Sequence, residues 1–166
     1  MKPKVIVLAV MPYEGEVGEQ ITHKHFKNNA VKYMPLGVLS LAANIPTEYE
    51  TIIVDAASRG LSLEETITEI EKHKPDILGL SVVTYRAWAM VEVLRKTSCK
   101  IKVVGGPHTT YNSEVILKQG ADAVFVGDAE KIFPKWLANN CPKGVFKSKP
   151  VPLDILPFPA RHLLNM

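Results

Sequence analysis

Short apolar runs alternate along the chain with amphipathic ones. Val5-Ile6-Val7-Leu8-Ala9-Val10 has no polar position, the mark of a strand buried on both faces. Residues 51–54, 77–83, 101–104 and 123–126 are further short, mainly apolar runs that read as strands. Helical periods lie between them. Pro35 suits the first turn of a helix through residues 36–43. Ser62-Leu63-Glu64-Glu65 forms a capping box, in which the Ser62 hydroxyl accepts one free N–H and Glu65 reaches back for another. The helix it opens carries Leu63, Ile67 and Ile70 on one face, and Lys74-Pro75 stops it. Residues 86–96 form a helix with Met90, Val91 and Leu94 inward. A short helix over 113–119 stops at Gly120. Asp128 can cap a last helix, which Pro134 should kink or restart.

Strands separated by helices make βαβ units, which close right-handed into a parallel sheet covered on both faces. The prediction is an α/β fold, flavodoxin-like (Rossmann-like) and doubly wound, with a five-stranded parallel sheet of order 2-1-3-4-5. A polar stretch from Met11 to Met34 interrupts the pattern. Loops that long inside small domains are often functional. After Cys141 the character changes, and Pro142, Pro150, Pro152, Pro157 and Pro159 punctuate what reads as an extended linker. Residues 1–141 are thus expected to form one domain and 142–166 a linker without a sixth βα unit.

Composition narrows the function. Of 166 residues, 46% are hydrophobic and 22% charged, an ordinary globular balance. A net charge of +3 is too mild to argue for a nucleic-acid partner. No apolar run approaches the ~18 residues of a membrane span. Met1-Lys2-Pro3-Lys4 leads into a short apolar run with no cleavage-site pattern, so no signal peptide is expected. Two cysteines, Cys99 and Cys141, are too few for a disulfide framework or a four-cysteine metal site. The expectation is a cytoplasmic protein in a reducing compartment.

Ligands of an open parallel sheet bind beyond the C-terminal strand ends, at the switch in strand order. Those ends carry Pro12-Tyr13-Glu14-Gly15, then Ser81-Val82-Val83-Thr84-Tyr85, then Gly105-Gly106-Pro107-His108, then Gly127-Asp128-Ala129-Glu130. A glycine there serves a tight turn as readily as a close ligand approach. Gly-Gly-Pro opposite Ser and Thr favours a wide, neutral, hydroxyl-bearing cradle, suited to a large polar cofactor. The dinucleotide fingerprint and the phosphate-binding P-loop are both missing, and position 81 is Ser where a response regulator needs a phosphorylatable Asp. His23-Lys24-His25 with Glu14, Glu16 and Glu19 could bind a metal but reads better as a solvated loop. His108 could touch a ligand or shape a turn. Asp55 could reach a sugar hydroxyl or form a turn. Tyr85 and Trp88 could line the cleft, though packing on the sheet is the safer reading. His73 and His162 read as structural or solvated.

Four segments in order carry a resemblance. They are Met34-Pro35-Leu36-Gly37-Val38-Leu39-Ser40-Leu41-Ala42-Ala43, Lys74-Pro75-Asp76-Ile77-Leu78-Gly79-Leu80-Ser81, Val103-Val104-Gly105-Gly106-Pro107-His108, and residues 121–130. Together they resemble the cobalamin (B12)-binding domain of class B radical S-adenosylmethionine (SAM) enzymes. Pro152-Leu153-Asp154-Ile155-Leu156-Pro157-Phe158-Pro159-Ala160-Arg161 looks like the linker to the radical SAM barrel.

The resemblance implies a corrinoid across the C-terminal strand ends, with its nucleotide tail slotted into the sheet. By matched position, Ser81 and Thr84 contact the buried base and its loop, with Val82 and Tyr85 beside them. Gly105, Gly106 and Pro107 admit the ribose and phosphate, with His108 adjoining. Gly127, Asp128 and Glu130 close the other side, and Leu36 and Gly37 lie near the corrin face or the tail entrance. No catalytic residue and no metal ligand is assigned.

Three departures matter. Gly127-Asp128-Ala129-Glu130 replaces the common Gly-Glu-Gly-Glu, so the first acid is shorter. The Asp-x-His-x-x-Gly motif is missing, which implies base-off cobalamin without that histidine. The C-x-x-x-C-x-x-C motif is missing too, so the chain cannot hold the [4Fe–4S] cluster that cleaves SAM in the parent enzymes. The expected function is to bind and orient the corrinoid for a radical SAM domain, supplied in cis or in trans, in a methyltransferase-like enzyme. The chain itself is expected to be an N-terminal piece or a stand-alone partner, without turnover alone. The alternative is a self-sufficient flavodoxin-like protein that binds FMN or another nucleotide.

Overall fold

The structure, a computed structural model, describes residues 5–13 and 34–164. β1 (Val5–Val10) leads to α1 (Leu36–Ala43), and β2 (Glu50–Asp55) to the short α2 (Ala56–Arg59) and α3 (Leu63–Lys72). β3 (Ile77–Ser81), a 3-10 turn at Thr84–Arg86 and α4 (Ala87–Lys96) follow, then β4 (Ile101–Gly105) and α5 (Thr109–Lys118). β5 (Ala123–Val126), α6 (Ile132–Ala138) and β6 (Gly144–Lys147) complete the sheet. No helix among the described residues is long and apolar enough to cross a membrane.

All strands are parallel, in the order β2-β1-β3-β4-β5-β6. The doubly wound core matches the expected order, but the sheet has a sixth strand. Gly144–Lys147 pairs with β5 in the register Phe125↔Phe146, inside a stretch that reads as linker. Its four residues sit at an edge and are only partly buried, so they lack the apolar run that marks the inner strands.

Alternation along each strand sends side chains to two faces. Val7, Ala9, Leu78, Leu80, Val82, Val104 and Val124 face one side and pack under α3, α4 and α5 through Ile70, Met90, Val93 and Ile116. Ile6, Leu8, Ile77, Val103, Ala123 and Phe125 face the other, under α1 and α6 through Val38, Ala42, Phe133, Trp136 and Leu137. Three helices therefore close one face, and two flank the other.

That arrangement needs an exception to the handedness rule. The step from β1 to β2 runs opposite to every later step across the sheet, and its helix, α1, lies on the opposite face from α3, α4 and α5. These connections share one hand, which is right-handed in nearly all proteins. The β5–α6–β6 step continues in the direction of the β4–β5 step, yet α6 lies on the α1 face. It has the opposite hand. Aromatic packing holds it there: the Phe125 ring lies 5.3 Å from Phe133, 5.5 Å from Trp136 and 5.5 Å from Phe146. Trp136 Nε1–H donates to the Pro142 carbonyl at 2.7 Å.

Local chemistry sets the helix ends. Both halves of the Ser62–Glu65 capping box form, at 3.1 and 2.8 Å. Asp55 accepts from Ser58 N–H and starts α2, so its carboxylate does serve a turn. Pro134 falls in the first turn of α6, where its missing N–H has no intrahelical partner to lose, and the helix runs on unbroken. Asp128 does not cap this helix; Lys131 stands at the N-cap. α5 begins at Thr109, ahead of the expected 113, because its first turn is polar and shows no apolar period.

Replacing Trp136 with Ala should cost about 3–5 kcal/mol, since a fully buried ring and its hydrogen bond are both lost. A lowered urea midpoint measures this.

Candidate functional site

The two helices on the second face stand apart, over the outer strands. Between them the sheet carries its smallest side chains. In register, Leu8 neighbours Gly79 and Gly79 neighbours Val103, while Val10 neighbours Ser81 and Ser81 neighbours Gly105. The result is a groove of about 360 Å³ over β3 and β4, open toward the C-terminal strand edge. That volume lies within the ~300–1,000 Å³ of small-molecule sites. Leu8, Gly79, Val103 and Phe125 floor it, Gly37, Val38 and Leu41 of α1 form one wall, and Phe133 and residues 127–130 form the other. Gly106, Pro107 and Thr110 close its upper rim.

The structure thus brings together Gly37, Ser81, Gly105, Gly106, Pro107, Gly127, Asp128 and Glu130. Leu36 and Tyr85 line a second cavity of about 270 Å³, which shares Gly37, Val38 and Ser81 with the groove. Val82, Thr84 and His108 line neither. The Val82 side chain is fully buried against the closed face. Its backbone joins two loops, with N–H donating to the Gly105 carbonyl and C=O accepting from His108 N–H. Thr84 Oγ1 lies 3.3 Å from His108 Nδ1, and burial pushes the His108 pKa down. Tyr85 and Trp88 are 72% and 45% exposed, so neither is a core residue. Residues 14–33, with His23, His25, Glu14, Glu16 and Glu19, lie outside the described residues. Among those described, no cluster of three His, Cys, Asp or Glu could hold a metal ion.

The glycines divide by what a side chain would meet. Gly106 has φ +96°, and a Cβ there would stand 2.8 Å from both the N and the O of Val82. Gly127 has φ +85°, and a Cβ there would stand 2.6 Å from the Ser148 carbonyl oxygen. Both are glycines for the fold's sake. Gly105 is different. A Cβ on it would point over the groove floor with its nearest neighbour, Phe125 Cβ, at 4.0 Å. A Cβ on Gly37 would have nothing within 4 Å. At Gly79 it would come within 2.7 Å of a Leu8 methyl, so the bare glycine keeps the floor low.

A model of the B12 binding domain family matches residues 28–137. The chain belongs to that family. It is therefore a cobalamin-binding domain. An uncharacterized methyltransferase of Pyrococcus horikoshii is 31% identical over 116 residues, 66% of this chain and 25% of that protein. An uncharacterized methyltransferase of Synechocystis is 25% identical over 138 residues, 80% of this chain and 25% of that protein. An anaerobic magnesium-protoporphyrin IX monomethyl ester cyclase of Rubrivivax gelatinosus is 30% identical over 89 residues, 50% of this chain and 16% of the enzyme. The chain spans about a quarter or less of these relatives. A cobalamin-binding protein from Desulfitobacterium hafniense superposes with a TM-score of 0.48 at 20% identity, over 81% of this chain and 60% of its own.

Sequence reasoning missed Arg86, which reads as the start of a surface helix. It is only 8% exposed. Nη1 donates to the Met11 carbonyl at 3.0 Å, and the guanidinium carbon lies 3.9 Å from the Tyr13 ring centroid and 5.2 Å from that of Tyr85. Nε is buried with no hydrogen-bond partner among the described residues. Such a donor costs about 1–3 kcal/mol. The available signal was the pair Tyr85-Arg86 just past one strand end, with Tyr13 past its neighbour. Thr109 is also new: its buried hydroxyl lies within hydrogen-bond reach of the Gly106 and Phe125 carbonyls and ties the β4 loop to β5.

Gly106→Ala should lose about 1–3 kcal/mol, from strained φ and the close Val82 backbone, while Gly105→Ala stays within about 0.5 kcal/mol of the parent. Thermal denaturation of the two variants separates them. Acidification supplies another check. The lowered His108 pKa means the unfolded chain binds its proton more readily, so stability falls as pH drops through about 6.5 toward the folded value. His108→Asn should flatten that part of the melting-temperature profile.

Proposed function

We propose that the groove over β3 and β4 seats the nucleotide tail of cobalamin, and that the chain serves as the corrinoid-carrying part of a B12-dependent radical SAM enzyme. The observation that carries this reading is the bare strip of Gly79, Ser81 and Gly105 between α1 and α6. An aromatic base fits such a slot, because its floor is apolar and its mouth polar. Leu8, Val103 and Phe125 would contact the base. The Ser81 hydroxyl and the backbone at Gly105 and Gly106 would face the sugar and phosphate. Gly127, Ala129 and Glu130 would close the opposite side, and Leu36 and Gly37 would border the corrin. Asp128 contributes through structure, since its carboxylate accepts Val151 N–H at 2.7 Å and ties down the chain after β6.

Bound cobalamin would supply methyl-carrying chemistry, and the protein's share is to hold and orient it. The methyltransferase relatives support that reaction class. With two cysteines the chain lacks a three-cysteine cluster motif, so the radical step belongs to another domain, in cis or in trans.

The test is retention of hydroxocobalamin after desalting, read from corrin absorbance. The parent protein should retain it. Gly105→Leu starts a side chain over the slot from a Cβ that meets nothing closer than 4.0 Å, and should weaken binding by about tenfold or more, with the melting temperature held. Undiminished binding by Gly105→Leu overturns the placement of the tail. A parent protein that retains FMN and no corrinoid overturns the cofactor assignment.

A further inference from the structure

We propose that Arg86 anchors the body of the corrinoid, its buried Nε–H donating to an amide carbonyl on the rim of the macrocycle. This inference rests on the reading of the groove as the tail site. The second cavity shares Gly37, Val38 and Ser81 with the groove, so the two adjoin. A ligand whose tail fills the groove has the second cavity next to it for its remaining bulk. That cavity is walled by Tyr13, Met34, Pro35, Leu36 and Tyr85, apolar or amphipathic surfaces fit for a large ring.

Arg86 brings to this cavity a donor that is both buried and unused among the described residues. Nη1 is committed to Met11, and the guanidinium is held over Tyr13, so the side chain is already oriented. Nε, shut from water, has no acceptor among the described residues. An incoming oxygen satisfies it without any cost of ordering the arginine. The character of that oxygen follows from Asp55. This buried carboxylate lines the same cavity, with Oδ1 accepting from Ser58 N–H. With a cation and a carboxylate already lining the cavity, a neutral amide carbonyl adds no unbalanced charge. The corrin rim carries such amides. The exposed Tyr85 ring, stacked beside the guanidinium, is the group that must give way as the ligand arrives.

The test compares cobalamin with cobinamide, the same corrin ring without its nucleotide tail. Dissociation constants are read by absorbance titration and folding by circular dichroism melts. Arg86→Lys keeps the cation and loses the Nε–H, and should weaken both ligands by about tenfold. Gly105→Leu should weaken cobalamin alone. A folded Arg86→Lys protein that binds both ligands within twofold of the parent overturns the inference and leaves the groove reading standing. So does a loss confined to cobalamin, which would place Arg86 at the tail. A parent protein that binds neither corrinoid overturns both readings. A measurement on the parent needs no variant to fold: the Arg86 Nε–H proton signal should shift downfield on adding cobinamide, as the buried donor gains an acceptor. An unchanged signal at saturation overturns the proposal.

Discussion

Strands that are apolar on both sides must be covered on both sides, and in this protein that requirement is met unevenly. Three helices close one face of the sheet. On the other, α1 and α6 sit over the outer strands and leave the middle open. The opening depends on where α6 goes. A β5–α6–β6 connection of the usual hand would place this helix with the other three, and the groove would lose a wall. The Phe125, Phe133, Trp136 and Phe146 cluster holds it on the groove face. The groove therefore traces to one packed aromatic corner as much as to any residue that lines it.

Much of the fold was legible because its signals are local. The β-branched runs mark strands without regard to partners, the Ser62–Glu65 box marks a helix start within four residues, and their alternation leaves few topologies. β6 was hidden for a physical reason. An edge strand buries little, so Gly144-Val145-Phe146-Lys147 carries no apolar run to stand out among the prolines. The hand of the last connection was hidden as well, since it is decided by which face the α6 aromatics fill.

The site was partly legible. Its glycines announce themselves, but a letter does not say whether it makes room for a neighbour or for a guest. Gly106 and Gly127 make room for the protein's own backbone, at Val82 and Ser148, and Gly105 and Gly37 leave space that the chain does not use. Those pairs look alike until the direction of the missing Cβ is known. Arg86 was illegible in the opposite way, because charge at the head of a helix ordinarily means solvent. Tyr13, Tyr85 and the Met11 carbonyl converge on it from two strand ends.

The stretch after β6 reads from its prolines as a loose connector, yet it is fastened at both ends. Ser148 N–H donates to Val126 and Val151 N–H to Asp128, on one bank of the groove. Ala160 N–H donates to the Leu39 carbonyl of α1, on the other. Between the moorings, Leu153, Ile155 and Phe158 project into solvent. A span moored to both banks makes the width of the channel and the shape of the span a single mechanical coordinate. Parting the banks would draw the span straighter and shift its outward apolar side chains.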